Sequence, residues 1–323
     1  MTPREDDRQL MARLADLYYL RDLTQQEIAE RLGLSRPTVS RLLQRARTEG
    51  IVRIEVNPPE GSHHELAWEL EERFRLREAI VVTGHSESPS LTRRALGQAG
   101  ARYLDRCLKG GEVVGISWGT TLNEVVQHVR HRALRTTTVP LVGGVGQVAP
   151  GVHANDLARR LAQVHQGRPH FLHAPAVVAS PEVQEALYSD PGIRRVLDLA
   201  RRAQVALVGV GALVPSSTLV QSGYFSAQEL AGLRQRGAVG DVCTRPYTLD
   251  GLPVDDLLQR RIVAVQLEDL RRIPTVVAVA GGLEKAEAIL GLLHGGLIDV
   301  LVTDHLVART ILKRARSELE VGR

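Results

Sequence analysis

The stretch TVVAVAGGLEKAEAILGLLHGGLIDVLVTD, residues 275–304, decides the fold of the second half of this chain. It begins with an apolar run over 275–282, continues with a helical pattern over 284–294, and ends with a second apolar run over 299–303. Near-continuous apolar strands separated by helices are typical of a parallel sheet that is covered on both faces. The stretch therefore predicts one strand–helix–strand unit of an α/β domain.

The same alternation runs through the chain from about residue 78 onward. Further strands are predicted at residues 79–84, 112–119, 136–144, 169–174, 205–213 and 262–266. Further helices are predicted at residues 90–107, 120–130, 154–166, 181–200, 226–235 and 304–316. These patterns predict a mostly parallel, doubly wound sheet, whose ligand site lies beyond the carboxyl ends of its strands.

The bulk composition agrees with a globular protein of two domains. The chain has 323 residues, of which 43% are hydrophobic and 24% are charged, and these values exclude disordered and fibrous classes. No apolar run approaches the roughly 18 residues of a membrane span, and MTPREDDRQL has no apolar core for a secretion signal. Cys107 and Cys243 are the only cysteines and offer no disulfide framework. We therefore expect a cytoplasmic protein without a membrane partner.

A different pattern occupies LTQQEIAERLGLSRPTVSRLLQRARTEGIVRIEV, residues 23–56, after a helical segment over about 4–20. Thr24 and Glu27 have the spacing of a capping box, which predicts the start of a helix. Gly33 is suited to end that helix in a left-handed conformation. Ser35 then predicts the cap of a second helix, with Pro37 inside its first turn.

The second helix has an apolar inner stripe and a basic outer face. A short helix, a glycine-containing turn and an arginine-rich second helix are typical of a helix-turn-helix that reads the major groove of DNA. Arg36, Thr38, Ser40 and Arg41 are predicted to contact bases or nearby phosphates, Arg45 and Arg47 to contact phosphates, and Ser35 belongs to the same candidate surface. Residues 51–56 alternate and predict a wing strand. The alternative is an ordinary helical hairpin with solvated arginines.

The proline- and glycine-containing NPPEGSHH, residues 57–64, marks a domain boundary. We predict a DNA-binding domain over 1–56, a linker and helix over 57–77, and a ligand-binding domain over 78–323. The helix ELAWELEERFRL places Leu66, Leu70 and Phe74 on one face. That face packs against either a second subunit or its own domain, and the pattern does not distinguish the two.

Small and polar residues follow several predicted strands, at the edge where a ligand is expected. In GISWGTT, residues 115–121, Thr120 and Thr121 add hydroxyls to a helix start, where free amides attract anions. A phosphate site and a simple turn in which Thr120 caps the helix both fit this stretch. Lys285 begins another helix after GGLE, and its ammonium is suited to meet a phosphate or carboxylate. Other candidate turns lie at 143–146, 209–211, 281–285 and 303–304.

These motifs, in order, resemble the SorC family of bacterial sugar-responsive transcriptional regulators. The resemblance rests on the segment from TQQEIAERLGL to TEGIV and on GISWGTT, LVGGVGQ, HANDLARRLA, GAVGDVCTRPYTLDG and the closing AVAGGLEKAEAILGLLHGGLIDVLVTD. It implies a domain similar to sugar-phosphate isomerases, a phosphorylated sugar as effector, operator DNA as partner, and a dimer or tetramer. The residues it assigns to the effector are Ser117, Gly119, Thr120, Thr121, Gly143, Gly144, Asn155, Asp241, Gly281, Gly282, Lys285 and Asp304.

One departure from the family concerns covalent binding. Some relatives hold a deoxyribose phosphate as a Schiff base on a lysine that precedes the NxxA-type helix. The corresponding VAPGVHAN, residues 148–155, has no lysine, and the imidazole of His153 cannot form an imine. We therefore do not expect covalent capture of an aldehyde sugar.

No cofactor or metal is expected. GVGQVA, residues 144–149, matches a dinucleotide pattern, but Pro150 and Gly151 follow before any helix. His165, His170 and His173 share no common face, as a metal site requires. A sugar-phosphate isomerase or hydrolase remains the alternative function, with Asp241 or Asp304 as general base and His153 as its partner. The basic helix-turn-helix favours the regulator, because an enzyme has no use for it.

Overall fold

The computed structural model describes residues 5–54, 63–144, 146, 151–214, 226–254 and 257–321. The chain divides into two compact units, Met1–Pro59 and Glu60–Arg323. Within the described residues, no helix combines the length and the apolar character that crossing a membrane requires.

The first unit is helical. Helix α1 (Glu5–Ala15) continues into a π-helical turn, Asp16–Leu20, and is followed by α2 (Gln25–Leu32) and α3 (Arg36–Thr48). Their apolar faces enclose a core that includes Met11, Leu14, Ile28, Val39, Leu42, Leu43 and Ala46. The predicted helix-turn-helix is confirmed in its local detail: Thr24 and Glu27 form the capping box, Gly33 has a φ of 63°, and Ser35 caps α3.

The predicted wing strand is not formed at residues 51–54, and residues 55–56 lie outside the described residues. The segment instead turns back onto α3, where the Val52 N–H donates to the carbonyl of Ala46 at 3.0 Å. Ile51 and Val52 then pack against the core of the first unit. Within residues 51–54, these two side chains are thus part of the helical packing of the first unit.

The second unit alternates strands and helices. Its first half contains α4 (His64–Phe74), β1 (Glu78–Val82), α5 (Pro89–Cys107), β2 (Val113–Ile116), α6 (Thr120–His128), β3 (Thr137–Pro140), α7 (Ala154–Val164), β4 (Arg168–Pro169), α8 (Pro181–Ser189) and α9 (Pro191–Arg201). Its second half contains β5 (Val205–Val208), β6 (Gly211–Ala212), α10 (Ala227–Gln235), β7 (Ala238–Val242), β8 (Arg245–Thr248), α11 (Leu267–Arg272), β9 (Thr275–Val279), α12 (Ala286–His294), β10 (Val300–Asp304) and α13 (His305–Val321).

Seven strands form the predicted parallel sheet, in the order β1-β10-β9-β5-β2-β3-β4. Val277 on β9 pairs with Val300 on β10, and Val300 pairs with Glu78 on β1. Successive residues of the central strands enter two cores: Ala206 and Val208 lie in one, and Val205 and Leu207 in the other. Both faces of the sheet are therefore covered, which explains the near-continuous apolar runs and confirms the doubly wound α/β fold.

A second, antiparallel sheet of β6, β7 and β8 was not predicted. Its β7–β8 turn is made by Cys243 and Thr244, both at positive φ (51° and 65°). This conformation usually requires glycine or asparagine, so the sequence carries no ordinary signal of a hairpin here.

The strand predicted at 262–266 is wrong, because this segment makes only isolated bridges. Its carbonyls accept hydrogen bonds from the buried guanidinium of Arg245 instead of a neighbouring strand. The strand predicted at 169–174 is limited to Arg168–Pro169. The helix predicted at 181–200 is divided in two, because Pro191 has no N–H to donate and Asp190 caps a new helix there.

Helix α4 packs within the second unit, which answers the question that the sequence left open. Leu70 is fully buried in the core of that unit, and the carboxylate of Glu71 accepts from the N–H of Ala79 at 2.8 Å. Arg73 donates to the carbonyl of Ala315. The apolar face of α4 is thus covered by its own unit, while Trp68 on another face is 63% exposed.

Candidate functional site

A cavity of about 460 Å³ opens at the carboxyl edge of the parallel sheet. We call it the carboxyl-edge cavity. Of the residues predicted to bind an effector, nine line it: Ser117, Gly119, Thr120, Thr121, Asp241, Gly281, Gly282, Lys285 and Asp304. The turns after β2, β5, β9 and β10 and the β6–β7 sheet therefore come together at the edge where the sequence placed the site.

Gly143, Gly144 and Asn155 do not line this cavity, and their polar groups have other roles. The side-chain amide of Asn155 bonds both the carbonyl and the N–H of Leu172, at 3.1 and 2.9 Å. A Cβ on Gly143 would lie 2.6 Å from the carbonyl oxygens of Ala174 and Pro175, so glycine permits the close approach of two chain segments. Most of GVGQVA, at 145 and 147–149, lies outside the described residues.

The start of α6 forms one wall of the cavity. Its N-cap is Gly119, with a φ of 132°, and no side chain caps the helix. The first helical bond joins the Asn123 N–H to the carbonyl of Gly119, so the amides of the three preceding residues have no partner within the helix. Thr121 is 9% exposed and its hydroxyl makes no hydrogen bond with a described residue. Thr120 does not cap this helix, and the turn leaves its donors directed at the cavity.

The turn before α6 is held by the β7–β8 hairpin. The indole N–H of Trp118 donates to the hydroxyl of Thr244 at 3.1 Å, and both residues are buried. Burial raises the pKa of the Cys243 thiol to about 12, although the side chain of Ser117 acts to lower it. Because Cys243 stays protonated, it is a structural residue and not a nucleophile. The unpredicted hairpin thus fixes one end of the predicted turn.

Asp241, on β7, is a buried carboxyl group that lacks a hydrogen-bond partner for one of its oxygens in the described part of the chain. It is 4% exposed, and its Oδ1 has no hydrogen-bond partner among the described residues. Burial raises its pKa to about 7, although Lys285 and the backbone N–H of Thr244 favour the charged form. A Cβ on Gly211 would lie 1.8 Å from Oδ1, so the glycine gives this carboxyl its space. Asp241 can therefore donate to or accept from a ligand hydroxyl near neutral pH.

Lys285 follows a short 3₁₀ turn that leads into α12. Its ammonium makes no hydrogen bond or ion pair with any described residue. Burial lowers its pKa, against the opposing effects of Glu284 and Asp241. The cavity thus holds an unpaired cation close to the start of α6.

Asp304 also lines the cavity, but its carboxylate is already occupied. Oδ2 accepts from the N–H of Gly282 at 2.8 Å, and Oδ1 accepts from the N–H groups of Leu306 and Val307 at 3.0 Å. A Cβ on Gly281 would lie 2.5 Å from Oδ2. Asp304 therefore lines the cavity as predicted, and its carboxylate also shapes the turns there.

Sequence reasoning missed several lining residues, including Arg93, His85 and Trp118. Arg93 lies on α5 beside other cavity residues, so its helical spacing was the available signal. His153, the proposed partner of a catalytic carboxylate, does not line the cavity.

In the first unit, α3 carries the candidate DNA-binding surface. Arg36, Ser40, Arg41 and Arg47 are exposed, and none of them bonds to another described residue. Arg45 differs, because its guanidinium pairs with Glu49 at 2.8 Å. The hydroxyls of Ser35 and Thr38 lie 2.8 Å apart, and Ser35 also accepts from the N–H of Thr38. The free cations of α3 are thus Arg36, Arg41 and Arg47.

Comparison with known proteins identifies relatives for both units. Residues 60–313 match the family model of a sugar-binding domain, and residues 13–61 match that of the MarR family. The deoxyribonucleoside regulator of Bacillus subtilis is 34% identical over 308 residues, which cover 95% of this chain and 98% of that protein. The sorbitol operon regulator of Klebsiella pneumoniae is 32% identical over 311 residues, covering 95% and 99%.

The fold of this chain is likewise similar to solved structures. The full-length sorbitol operon regulator SorC from Klebsiella pneumoniae superposes with a TM-score of 0.74 at 31% identity, covering 95% of this chain and all of that one. A DeoR family transcriptional regulator from Listeria monocytogenes has a TM-score of 0.71 at 32% identity, covering 77% and 98%.

Proposed function

This chain belongs to the SorC family of sugar-binding transcriptional regulators, and we propose that a phosphorylated sugar in its carboxyl-edge cavity controls its affinity for operator DNA. One observation carries this proposal: the uncapped start of α6 and the unpaired ammonium of Lys285 line the same cavity. Free helix amides and a nearby cation are the groups that bind a phosphate.

The remainder of the cavity suits a polyhydroxylated ligand. Asp241 offers a buried carboxyl oxygen without a partner, and a ligand hydroxyl would satisfy it. Ser117 and the backbone of Gly281 and Gly282 lie along the same wall. Two relatives are named for a deoxyribonucleoside and for sorbitol, which supports a sugar or a sugar alcohol as the organic part of the ligand.

The exposed arginines of α3 support the DNA-binding half of the proposal. A second helix of this type enters the major groove with its N-terminal residues at the base edges. We assign base or nearby phosphate contacts to Arg36 and Arg41 and a backbone phosphate contact to Arg47. The regulator works in the cytoplasm. It acts as a homo-oligomer, because paired helix-turn-helix units read paired half-sites.

Control by a sugar phosphate requires two arrangements of the protein that bind the ligand with different affinity. The ligand then shifts the population toward one arrangement, and the spacing of the DNA-binding units changes with it.

The ligand half is tested by thermal unfolding and calorimetry with ribose, deoxyribose, sorbitol and fructose, each with and without a phosphate ester. We expect stabilisation by one or more phosphorylated compounds and none by their parent sugars. The double variant Thr120→Val with Thr121→Val should lose about tenfold in affinity, because two hydroxyl donors are removed. Stabilisation by unphosphorylated sugars alone would show that the cavity is not a phosphate site.

The DNA half is tested by selecting an operator from a random duplex library and measuring gel shifts. Arg41→Ala should weaken binding by about tenfold or more and relax the preference for one base pair. The contrasting variant is Arg47→Ala, which removes an exposed arginine assigned to a phosphate and should weaken binding to all sequences alike. Unchanged affinity and preference in the Arg41 variant would overturn the base contact.

The isomerase or hydrolase alternative is disfavoured by the geometry of its proposed base. Asp304 accepts three backbone N–H bonds, and His153 does not line the cavity. A general base must reach the proton it removes with a free lone pair. Product formation from any sugar phosphate of the panel would restore the alternative, with Asp241 as the remaining base.

A further inference from the structure

Helix α5 presents a second cation to the carboxyl-edge cavity. Pro89, Thr92, Arg93 and Leu96 line it at intervals of three and four residues, so they lie on one face of the helix. Side chains in a helix lean toward its N-terminus, which here is the end at the cavity. Arg93 is the one cation of this face.

The crossing of α5 and α6 places Arg93 beside the phosphate end of the site. A Cβ on Gly97 would lie 2.4 Å from the Cβ of Glu124, so the two helices touch at this point. Both helices begin at the carboxyl edge of the sheet and run in the same direction. Arg93 precedes Gly97 by one turn, and Thr120 precedes Glu124 by one turn. Arg93 therefore lies beside the first turn of α6.

Nothing described in the protein neutralises Arg93. It is half-buried and makes no hydrogen bond or ion pair with a described residue. Three carboxyl groups line the cavity with it: Asp304 is bonded to backbone amides, Asp241 is buried with a raised pKa, and Glu284 interacts with Lys285 but forms no ion pair with Arg93. Burial lowers the pKa of Lys285, and the charge of Arg93 lowers it further, against Glu284 and Asp241. Two cations thus stand close together, and neither forms an ion pair with a described residue.

One further buried group at this site also lacks a partner. Asp241 is 4% exposed, and its Oδ1 makes no hydrogen bond with a described residue. Thr121 lines the same cavity, and its hydroxyl makes no hydrogen bond with a described residue either. Buried polar groups without partners are rare in folded proteins and point to a ligand that completes them. The uncapped helix start is therefore part of a larger set of groups that the protein alone leaves unsatisfied.

We propose that Arg93 is the second cation of the phosphate site and that Arg93 and Lys285 together select a doubly charged phosphate over singly charged anions. This inference rests on the proposed function and names a binding residue for it. A guanidinium donates two parallel hydrogen bonds to a phosphate, whereas the ammonium acts as a point charge. Two cations match the charge of a phosphate dianion, and a carboxylate would leave one of them unpaired.

The test uses the full chain and inorganic phosphate at about pH 8, where phosphate is mainly a dianion. Thermal unfolding is followed against phosphate concentration, with chloride and acetate series at matched ionic strength. We expect phosphate to stabilise the wild type and acetate to have no such effect. Arg93→Gln should weaken phosphate binding by about tenfold or more. The affinity of Arg93→Lys for phosphate should lie between those of the wild type and Arg93→Gln.

Two comparisons separate a binding role from a structural one. Arg94→Gln removes the neighbouring exposed arginine of the same helix and should bind phosphate like the wild type. In the absence of phosphate, Arg93→Gln should unfold at the same temperature as the wild type or a higher one, because it relieves repulsion with Lys285. A residue with a structural role would lower that temperature.

Equal phosphate binding by wild type and Arg93→Gln, or equal stabilisation by acetate and phosphate, would overturn the inference alone. A wild type that responds neither to phosphate nor to any sugar phosphate would overturn the proposed function together with it.

Discussion

Helices α3 and α6 begin in opposite ways. Ser35 caps α3 with its own hydroxyl, which accepts from the N–H of Thr38 at 3.3 Å. Gly119 precedes α6 with no side chain at all, and the two threonines that follow it do not cap the helix. Helix α3 thus has a side-chain acceptor for one of its first amides, whereas α6 has none among the described residues.

Two buried carboxylates at the carboxyl-edge cavity repeat this contrast. Asp304 is 2% exposed and both of its oxygens accept backbone N–H bonds. Asp241 is 4% exposed and one of its oxygens has no partner. Asp304 is therefore satisfied by the turns around it, whereas Asp241 keeps a buried oxygen without a partner among the described residues.

The largest effect is expected from a negative charge in the first turn of α6. Thr120→Asp places a carboxylate in the first turn of α6, where it interacts favourably with the helix amides. It also repels a phosphate, so we expect the response to sugar phosphates to fall by about a hundredfold or more without loss of thermal stability. Calorimetry and thermal unfolding measure the two quantities.

The neutral variant Thr120→Asn has nearly the same shape and serves as the control. It should retain most of the affinity, because it adds no charge. If both variants bind the sugar phosphate like the wild type, the start of α6 is a turn and not an anion site.

The sequence predicted the start of α3 more completely than the surroundings of the start of α6, for a physical reason. Thr24, Glu27, Gly33 and Ser35 act within four residues of their partners, so their spacing was sufficient to predict the helix-turn-helix. The parallel sheet followed from strands that are buried on both faces. The position of Asp241 depends on the antiparallel β7–β8 hairpin. The turn of that hairpin is made by Cys243 and Thr244, which are not residue types that favour turns.

Arg93 was missed because its proposed role depends on where α5 crosses α6, which is a contact between separate parts of the chain. Gly143, Gly144 and Asn155 illustrate the opposite error. Their residue types suit a ligand site, but tertiary contacts with residues 172–175 and 263 use their polar groups. Local chemistry could predict which turns carry small polar residues, and only the packing decides which of those turns face the cavity.

A smaller effect is expected from the pH dependence of stability. The pKa of Asp241 is raised to about 7, so the folded chain holds a proton that the unfolded chain releases near its ordinary value of 3.8. The stability associated with this proton is present at low pH and is lost as pH rises through the folded pKa. Between about pH 5 and pH 7 the wild type should lose about 2 kcal/mol that Asp241→Asn keeps.

Chemical unfolding at a series of pH values measures this difference. Asp304→Asn is the contrasting variant: its amide would face a backbone N–H donor, so it should be less stable than the wild type at every pH. Parallel pH profiles for the wild type and Asp241→Asn would show that Asp241 is charged in the folded protein.

The smallest effect is expected from removing the cap that α3 already has. Ser35→Ala leaves the N–H of Thr38 without its acceptor and should lower the stability of the first unit by about 1 kcal/mol. Arg36 and Arg41 follow in the first two turns, so operator affinity should fall modestly as these turns fray, while sugar-phosphate binding is unchanged. Ser35→Asp retains a capping oxygen and should restore the stability, but it adds a negative charge near the DNA backbone and should bind operator more weakly than Ser35→Asn. If Ser35→Ala weakened operator binding as strongly as Arg41→Ala without destabilising the unit, Ser35 would contact DNA directly, and α3, like α6, would begin with a group that serves a ligand.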